Sequence, residues 1–383
     1  MRNKVTIGDL GTIITGNTPP RNNPELYGNH TPFIKATDIS ETEKYTYNPE
    51  ECYSKEGYDR YIRSLVPKGS TCVVTIGSIG KKMTMAHRDL FINQAMNAII
   101  PNEKYDKEFV YYAIKNVLPN IKGLDSGTAS GRENVSKSAF SKMEVLVDDD
   151  LEVQHHIATI LSRYDTLIEN YQKQIKLLEE AAQRLYKEWF VELRFPGHEN
   201  TKMVDGLPEG WERKKLGEVA EFKRGKTITK KDAIEGIVPV VAGGLEPAYY
   251  CDKSNTTNRV ITISGSGANA GYTRMYFEKV WASDCSFADT STTDYLHFVF
   301  CFLRENKTVI DNMQKGAAQP HVYAKDINSM ELLLPIKKIL ILHEQRVSRF
   351  FDTIESLQSQ ISLLTEARDR LLPRLMGGKM EVE

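Results

Sequence analysis

The chain is short of net charge, of cysteine and of long apolar runs, and each shortage removes a class of protein. Its 383 residues carry 50 Lys and Arg against 51 Asp and Glu, a formal net charge of −1. That excludes a polycation gripping nucleic acid by bulk charge. Five cysteines (Cys52, Cys72, Cys251, Cys285 and Cys301) never fall as CxxC, so they indicate neither a disulfide framework nor a zinc knuckle. They read as small buried hydrophobes. No run of about 18 apolar residues is present to span a bilayer, and Met1 to Thr6 lacks the apolar stretch of a signal peptide. The expected location is the cytoplasm, with no membrane partner. A hydrophobic content of 40% excludes wholesale disorder. At roughly 100 to 200 residues per domain, the length calls for two or three units.

Catalytic motifs are also missing. Gly225-Lys226-Thr227 ends like a phosphate-binding loop, but Ala220 stands where the first glycine belongs. Gly77-Ser78-Ile79-Gly80-Lys81 has too short a glycine spacing, and Gly265, Gly267 and Gly271 do not make GxGxxG. Asn17-Thr18-Pro19-Pro20 has an intervening Thr and no aromatic to grip a flipped base. His155 and His156 are adjacent on a predicted helix and point about 100° apart, so they cannot share a metal. No catalytic residue, metal site or cofactor is expected on this chain.

What is present is a duplication. Ile7-Gly8-Asp9-Leu10 with Gly16 and Thr18 matches Leu216-Gly217-Glu218-Val219 with Gly225 and Thr227. A glycine loop at Gly127 or Gly316 then leads to Met143–Val147 or Met330–Leu334, which read as strands. Each copy closes on a long helix with a heptad seam. The first seam runs Ile157, Leu161, Tyr164, Ile168, Tyr171, Ile175, Leu178, Ala182, Leu185 and Trp189. The second runs Val347, Phe350, Ile354, Leu357, Ile361, Leu364, Leu371 and Leu375, with Arg368 in the slot equivalent to Ala182. One polar seam residue can fix register at some cost in stability. Gly377-Gly378 is expected to stop the second helix.

Each helix could lie on its own domain, or the two seams could pair. Matching seams separated by a folded domain favour pairing as an antiparallel intramolecular coiled coil, with a pseudo-twofold relation between the copies. The fold class is then α+β, two globular domains separated by two long helices. The expected divisions are a globular domain at 1–150, a central helix at 151–192, a linker at 193–207, a second domain at 208–335 and a C-terminal helix at 336–383. Ile157 to Trp189 would rise roughly 50 Å at 1.5 Å per residue.

Charge is flat overall but not locally. Residues 1–150 hold 19 basic and 19 acidic side chains, and 193–335 hold 18 of each, yet Arg213 to Lys231 holds eight basic against two acidic. Such a cluster can neutralise phosphates. Glycine lets backbone N–H groups approach phosphate, and Arg, Gln and Asn can reach base edges. The candidate DNA contacts are Lys35, Ser78, Lys81, Lys82, Ser130, Arg132 and Asn134 in the first copy. In the second they are Lys223, Arg224, Lys226, Lys230, Ser266, Asn269, Gln319 and His321.

The run Trp189-Phe190-Val191-Glu192-Leu193-Arg194-Phe195-Pro196-Gly197, followed by Gly206-Leu207-Pro208-Glu209-Gly210-Trp211-Glu212-Arg213-Lys214-Lys215-Leu216-Gly217, closely resembles the central region of type I restriction-modification specificity subunits. The resemblance extends over essentially the whole chain, and Gln154 and Gln345 match the family's helix-entry pattern. It implies two target recognition domains that read a bipartite, non-palindromic site on double-stranded DNA. It also implies docking of two methyltransferase subunits, which carry S-adenosylmethionine and modify adenine, and of restriction/translocase subunits using ATP and Mg. This chain would be non-enzymatic. A rod of roughly 50 Å against about 34 to 36 Å per DNA turn places the half-sites about one turn apart. The alternative is a coiled-coil scaffold joining two protein-binding domains.

Overall fold

The computed structural model describes residues 2–125, 133–316 and 320–381. It divides into a first unit, residues 1–172 with 360–383, and a second, residues 173–359. Each long helix therefore contributes one segment to each unit.

In the first unit the chain enters on Arg2–Thr6 and leaves on Glu144–Asp148, paired antiparallel with Arg2 opposite Asp148. Between them an antiparallel sheet orders Gly11–Thr15, Met96–Pro101, Thr71–Val74 and Met83–Met85. Thr71–Val74 is buried at every position, which explains an unbroken apolar run where a one-sided strand would alternate. A second sheet orders Tyr27–Gly28, Glu51–Tyr53, Thr31–Ile34 and Phe91–Ile92, the last two parallel. Helix Lys107–Val117 starts where the Asp106 carboxylate accepts from the Phe109 N–H, and it buries Phe109 through Ile114.

The second unit repeats this strand plan. Glu212–Lys215 pairs antiparallel with Glu331–Leu334. A four-stranded sheet orders Lys223–Arg224, Cys285–Asp289, Val260–Ser264 and Thr273–Tyr276. A mixed sheet orders Tyr249–Cys251, Val238–Val241 and Trp281–Ala282, again with one parallel pair. Helix Leu296–Glu305 stands where Lys107–Val117 stands in the first unit. Upstream of this domain, Asp205 and Gly206 both take positive φ (51° and 78°). They form the tight turn between Met203–Val204 and Leu207–Pro208.

The long helices span Leu151–Tyr186, extended by a π-helical turn at Lys187–Val191, and Lys337–Met376. Glycine ends the second one, with Gly378 at φ 68°. Within the first unit the helix segments run antiparallel. Arg2 joins Asp148, just ahead of the first helix, to the Leu375 carbonyl near the end of the second, and Asp165 pairs with Arg368 further in. In the second unit Ala182 shares a core with Val347, Phe351 and Ile354, and the Phe190 ring lies 4.8 Å from His343. The expected α+β fold with antiparallel helix pairing is what forms.

The burial is wider than a heptad seam. Ile157, Leu161, Ile168, Val347, Ile354 and Leu357 are buried as expected. Tyr164, Tyr171, Ile175, Leu178, Leu185, Ile361 and Leu364 are only partly buried. Phe350 and Leu371 are partly buried as well, whereas their neighbours Phe351 and Leu372 are 2% and 6% exposed. Ala158, Tyr186 and Phe190, also off the seam, are buried too. The cause is a second partner: each segment packs on its own unit's domain as well as on the other helix. The two alternatives for these helices are both realised.

Polar groups mark these triple junctions. In the first unit the Tyr112 hydroxyl, from a domain helix, donates to Asp165, which also accepts from Arg368. Burial pushes the nearby Lys115 ammonium down to about 8, against the pull of Asp165. In the second unit Arg259, held at φ 57°, reaches Asp352 and Glu355 of the second helix. His343 is fully buried among Tyr186, Trp189, Phe190 and Phe298, and among the described residues neither ring nitrogen has a partner. Burial, then the neighbouring His297, push its imidazole down to about 3.

Gln154 and Gln345 do not share a role. Gln154 is fully buried; it accepts from the Asp106 N–H and donates to the Asp148 carbonyl, tying the helix start to the domain. Gln345 is exposed. The equivalent task falls to Glu344, whose carboxylate accepts from the N–H groups of His297 and Phe298 at the start of helix Leu296–Glu305. On the second helix the task thus falls one residue ahead of Gln345.

Two outcomes follow from these junctions. Asp165→Ala leaves the buried Arg368 with only the half-exposed Asp369 as counter-charge and strands the Tyr112 hydroxyl, and should cost about 3–5 kcal/mol, whereas Asp165→Leu with Arg368→Met should be near neutral; urea denaturation distinguishes them, and an undisturbed Asp165→Ala would refute the assignment. His343 is neutral when folded and protonates below its ordinary value near 6.5 when unfolded, so the unfolded state binds the extra proton. Stability should fall as pH drops from 6.5 toward 3, and His343→Leu should flatten that slope.

Candidate nucleic-acid interface

Each unit wires its two glycine-bearing loops together in the same way. In the first, the Gly77 N–H donates to the Glu133 carbonyl at 3.0 Å and the Val135 N–H to the Thr75 carbonyl at 2.9 Å. In the second, the Gly267 N–H donates to the Pro320 carbonyl at 3.0 Å and the Val322 N–H to the Gly265 carbonyl at 3.1 Å. Isolated bridges join Ile76 to Asn134 and Ser266 to His321. Gly77, Gly80, Gly267 and Gly271 all take positive φ, which explains glycine there.

The phosphate-loop look-alike is a backbone crossing. The Gly225 N–H donates to the Cys285 carbonyl and the Lys226 N–H to that of Ala282, just as Gly16 and Asn17 donate to Met96 and Ile92. A Cβ on Gly225 would lie 2.4 Å from the Ser283 carbonyl oxygen, and one on Gly16 would lie 2.2 Å from that of Ile92. Glycine is required for close approach, not for a ligand.

Around this frame the candidate residues are placed unequally. Ser78 and Lys81 are exposed on the first unit's glycine loop. Lys82 is partly buried, with its ammonium 3.5 Å from the Ala36 carbonyl. Lys35 is held by Glu50 and by Glu51, the latter at 3.3 Å, and its ammonium is raised above the usual range chiefly by the Glu50 bond. The Asn134 N–H donates to Asp125. Ser130, Arg132 and Gln319 lie outside the described residues.

In the second unit the basic stretch from Arg213 to Lys231 is divided between sheets. Arg213, Lys214 and Lys215 lie on the strand paired to Glu331–Leu334, with Lys214 bound to Glu212 at 3.1 Å. Lys223 and Arg224 form an edge strand of the four-stranded sheet. Lys223, Arg224, Lys226 and Lys230 are exposed, and among the described residues their side chains have no ion-pair partner. Asn269 is partly buried, its carbonyl accepting from Tyr272. Ser266 donates to Asp284, and the His321 ring stacks on Tyr323 at 6.0 Å.

The structure brings Arg224 and His321 into one recess of about 220 Å³, with Asp284, Ser286 and Lys325. Asp284 and Ser286 carry no signal in the linear sequence, because only strand pairing sets Ser286 opposite Arg224 and the Asp284 carbonyl against the Gly265 N–H. Among the described residues no group of three or more His, Cys, Asp or Glu is placed to hold a metal. Among them, too, no helix is long and apolar enough to cross a membrane.

Comparison with known proteins places this arrangement. Residues 2–180 and 208–366 match the type I restriction modification DNA specificity domain. The chain is 27% identical over 403 residues to the type I restriction enzyme MjaIX specificity subunit of Methanocaldococcus jannaschii, covering 98% of this chain and 93% of that one. It is 26% identical to a putative type I specificity subunit of Mycoplasma genitalium, covering 82% of each. In fold it is similar to the crystal structure of a type I restriction-modification S subunit from M. genitalium, with TM-score 0.58, 20% identity and coverage of 98% of this chain and 96% of that one.

The crossing predicts a sharp contrast between glycines. Gly225→Ala should lower stability by about 1–3 kcal/mol by forcing the edge strand off its partner. Gly123→Ala, where a Cβ meets nothing within 4 Å, should melt like the parent. Equal melting of the two variants would contradict the steric account.

Proposed function

Since the chain belongs to the type I restriction-modification DNA specificity family, we propose that it reads a bipartite, non-palindromic DNA site, one half per domain, with the antiparallel helices setting the gap. The observation that carries this is two units of one strand plan bearing different side chains at equivalent places. Thr15, Asn97 and Thr75 in the first correspond to Arg224, Ser286 and Gly265 in the second. That is what two readers of different sequences on one frame require.

In this reading the chain is non-catalytic and acts in the cytoplasm with two methyltransferase subunits and with restriction/translocase subunits. S-adenosylmethionine, ATP and Mg belong to those partners. Neither globular region carries an excess of basic residues, so affinity rests on local cations such as Lys223 and Lys226 and on subunits closing around the duplex.

One heptad added to each long helix, at 172 and at 360, lengthens them by about 10 Å, equivalent to about three base pairs at 3.4 Å each. Methylated-adenine mapping of the assembled complex should show a wider gap with both half-sites unchanged. Altered half-sites would overturn the separation of reading from spacing.

A further inference from the structure

The two units share a frame but differ at one place in it. In the first unit that place is closed: the Thr15 hydroxyl donates to Asn97 at 2.6 Å, and Asn97 donates to the Thr75 hydroxyl at 3.0 Å. In the second unit strand register puts Arg224 opposite Ser286, as Thr15 lies opposite Asn97. Gly265 accepts from Val322 as Thr75 accepts from Val135. With glycine and serine replacing threonine and asparagine, the space is left open as the recess of about 220 Å³.

Arg224 borders that recess without an ion-pair or hydrogen-bond partner among the described residues, although Asp284 lines the same space. Asp284 is instead engaged by the Ser266 hydroxyl. The backbone of Arg224 is fixed by sheet pairing, and the stacked His321 and Tyr323 rings form a wall beside it. On a backbone fixed this way, the exposed guanidinium presents a planar fork with its donors free. The exposed lysines 223, 226 and 230 offer only point charges and do not line this recess.

Resting on the function proposed above, we propose that Arg224 is a specificity-determining residue that reads a guanine in the half-site of the second unit. Its fork donates to O6 and N7 in the major groove, and the Asp284 oxygen that Ser266 does not hold is the acceptor for the paired cytosine amino group. The first unit, with the equivalent position closed by Thr15, Asn97 and Thr75, makes no such contact there.

The test uses the full chain assembled with its methyltransferase partner, and maps methylated adenines for the parent, Arg224→Lys and Arg224→Ala. Arg224→Lys keeps the charge and loses the fork. In both variants the preference for G at one position of one half-site should fall about tenfold or more, with the other half-site and the gap unchanged. An unaltered preference in Arg224→Lys, with only a uniform loss of methylation in Arg224→Ala, would make Arg224 a phosphate contact and overturn the proposal, as would a half-site containing no guanine. A parent complex that methylates no bipartite site would overturn the functional reading itself. Thermal melts matching the parent identify the changes as recognition effects.

Discussion

Each long helix has to bury two faces at once, one against the other helix and one against a domain, and the rest of the architecture answers to that demand. A heptad seam alone covers too narrow a stripe. Ala158, Tyr186, Phe190, Phe351 and Leu372 therefore go into the core beside the seam residues. The same demand brings three elements to a single point in each unit, where backbone groups at helix ends would otherwise be stranded. Gln154 and Glu344 meet it, each a long-helix side chain satisfying the start of a domain helix.

The two units resolve their junctions with different chemistry. The first uses a buried charge pair, Asp165 and Arg368, steadied by Tyr112. Such a pair adds little net stability but penalises misplacement heavily. The second uses a cage of rings around a neutral, unpartnered His343, with the Arg346 guanidinium 5.1 Å from the Trp189 ring. One frame thus tolerates different side chains wherever geometry, and not identity, is what must be kept.

Much of this was legible in the linear chain. Heptad spacing marks both helices, because a period of 3.5 residues survives without knowledge of the partner. The duplicated Gly16 and Gly225 mark equivalent crossings, since only glycine fits a carbonyl at that distance. Other features were hidden for a physical reason. Asp165 reads as a solvated helix residue until Arg368 and Tyr112, distant in sequence, come to it. The basic run from Arg213 to Lys231 looks like one patch, yet strand pairing sends Arg213–Lys215 and Lys223–Arg224 to different sheets. Lys35 looks like a free cation until Glu50 and Glu51 fold against it. The recess at Arg224 depends on register, which no local spacing records.

Each domain begins and ends on neighbouring antiparallel strands: Arg2–Thr6 beside Glu144–Asp148, and Glu212–Lys215 beside Glu331–Leu334. A segment whose two ends lie side by side is a cassette, since anything folding between them returns the chain to where it left. At the level of the gene, crossovers near those strands can replace a whole domain in one event while the helices remain untouched. A lineage could acquire a new recognition sequence by shuffling, with every loop of a domain exchanged at once.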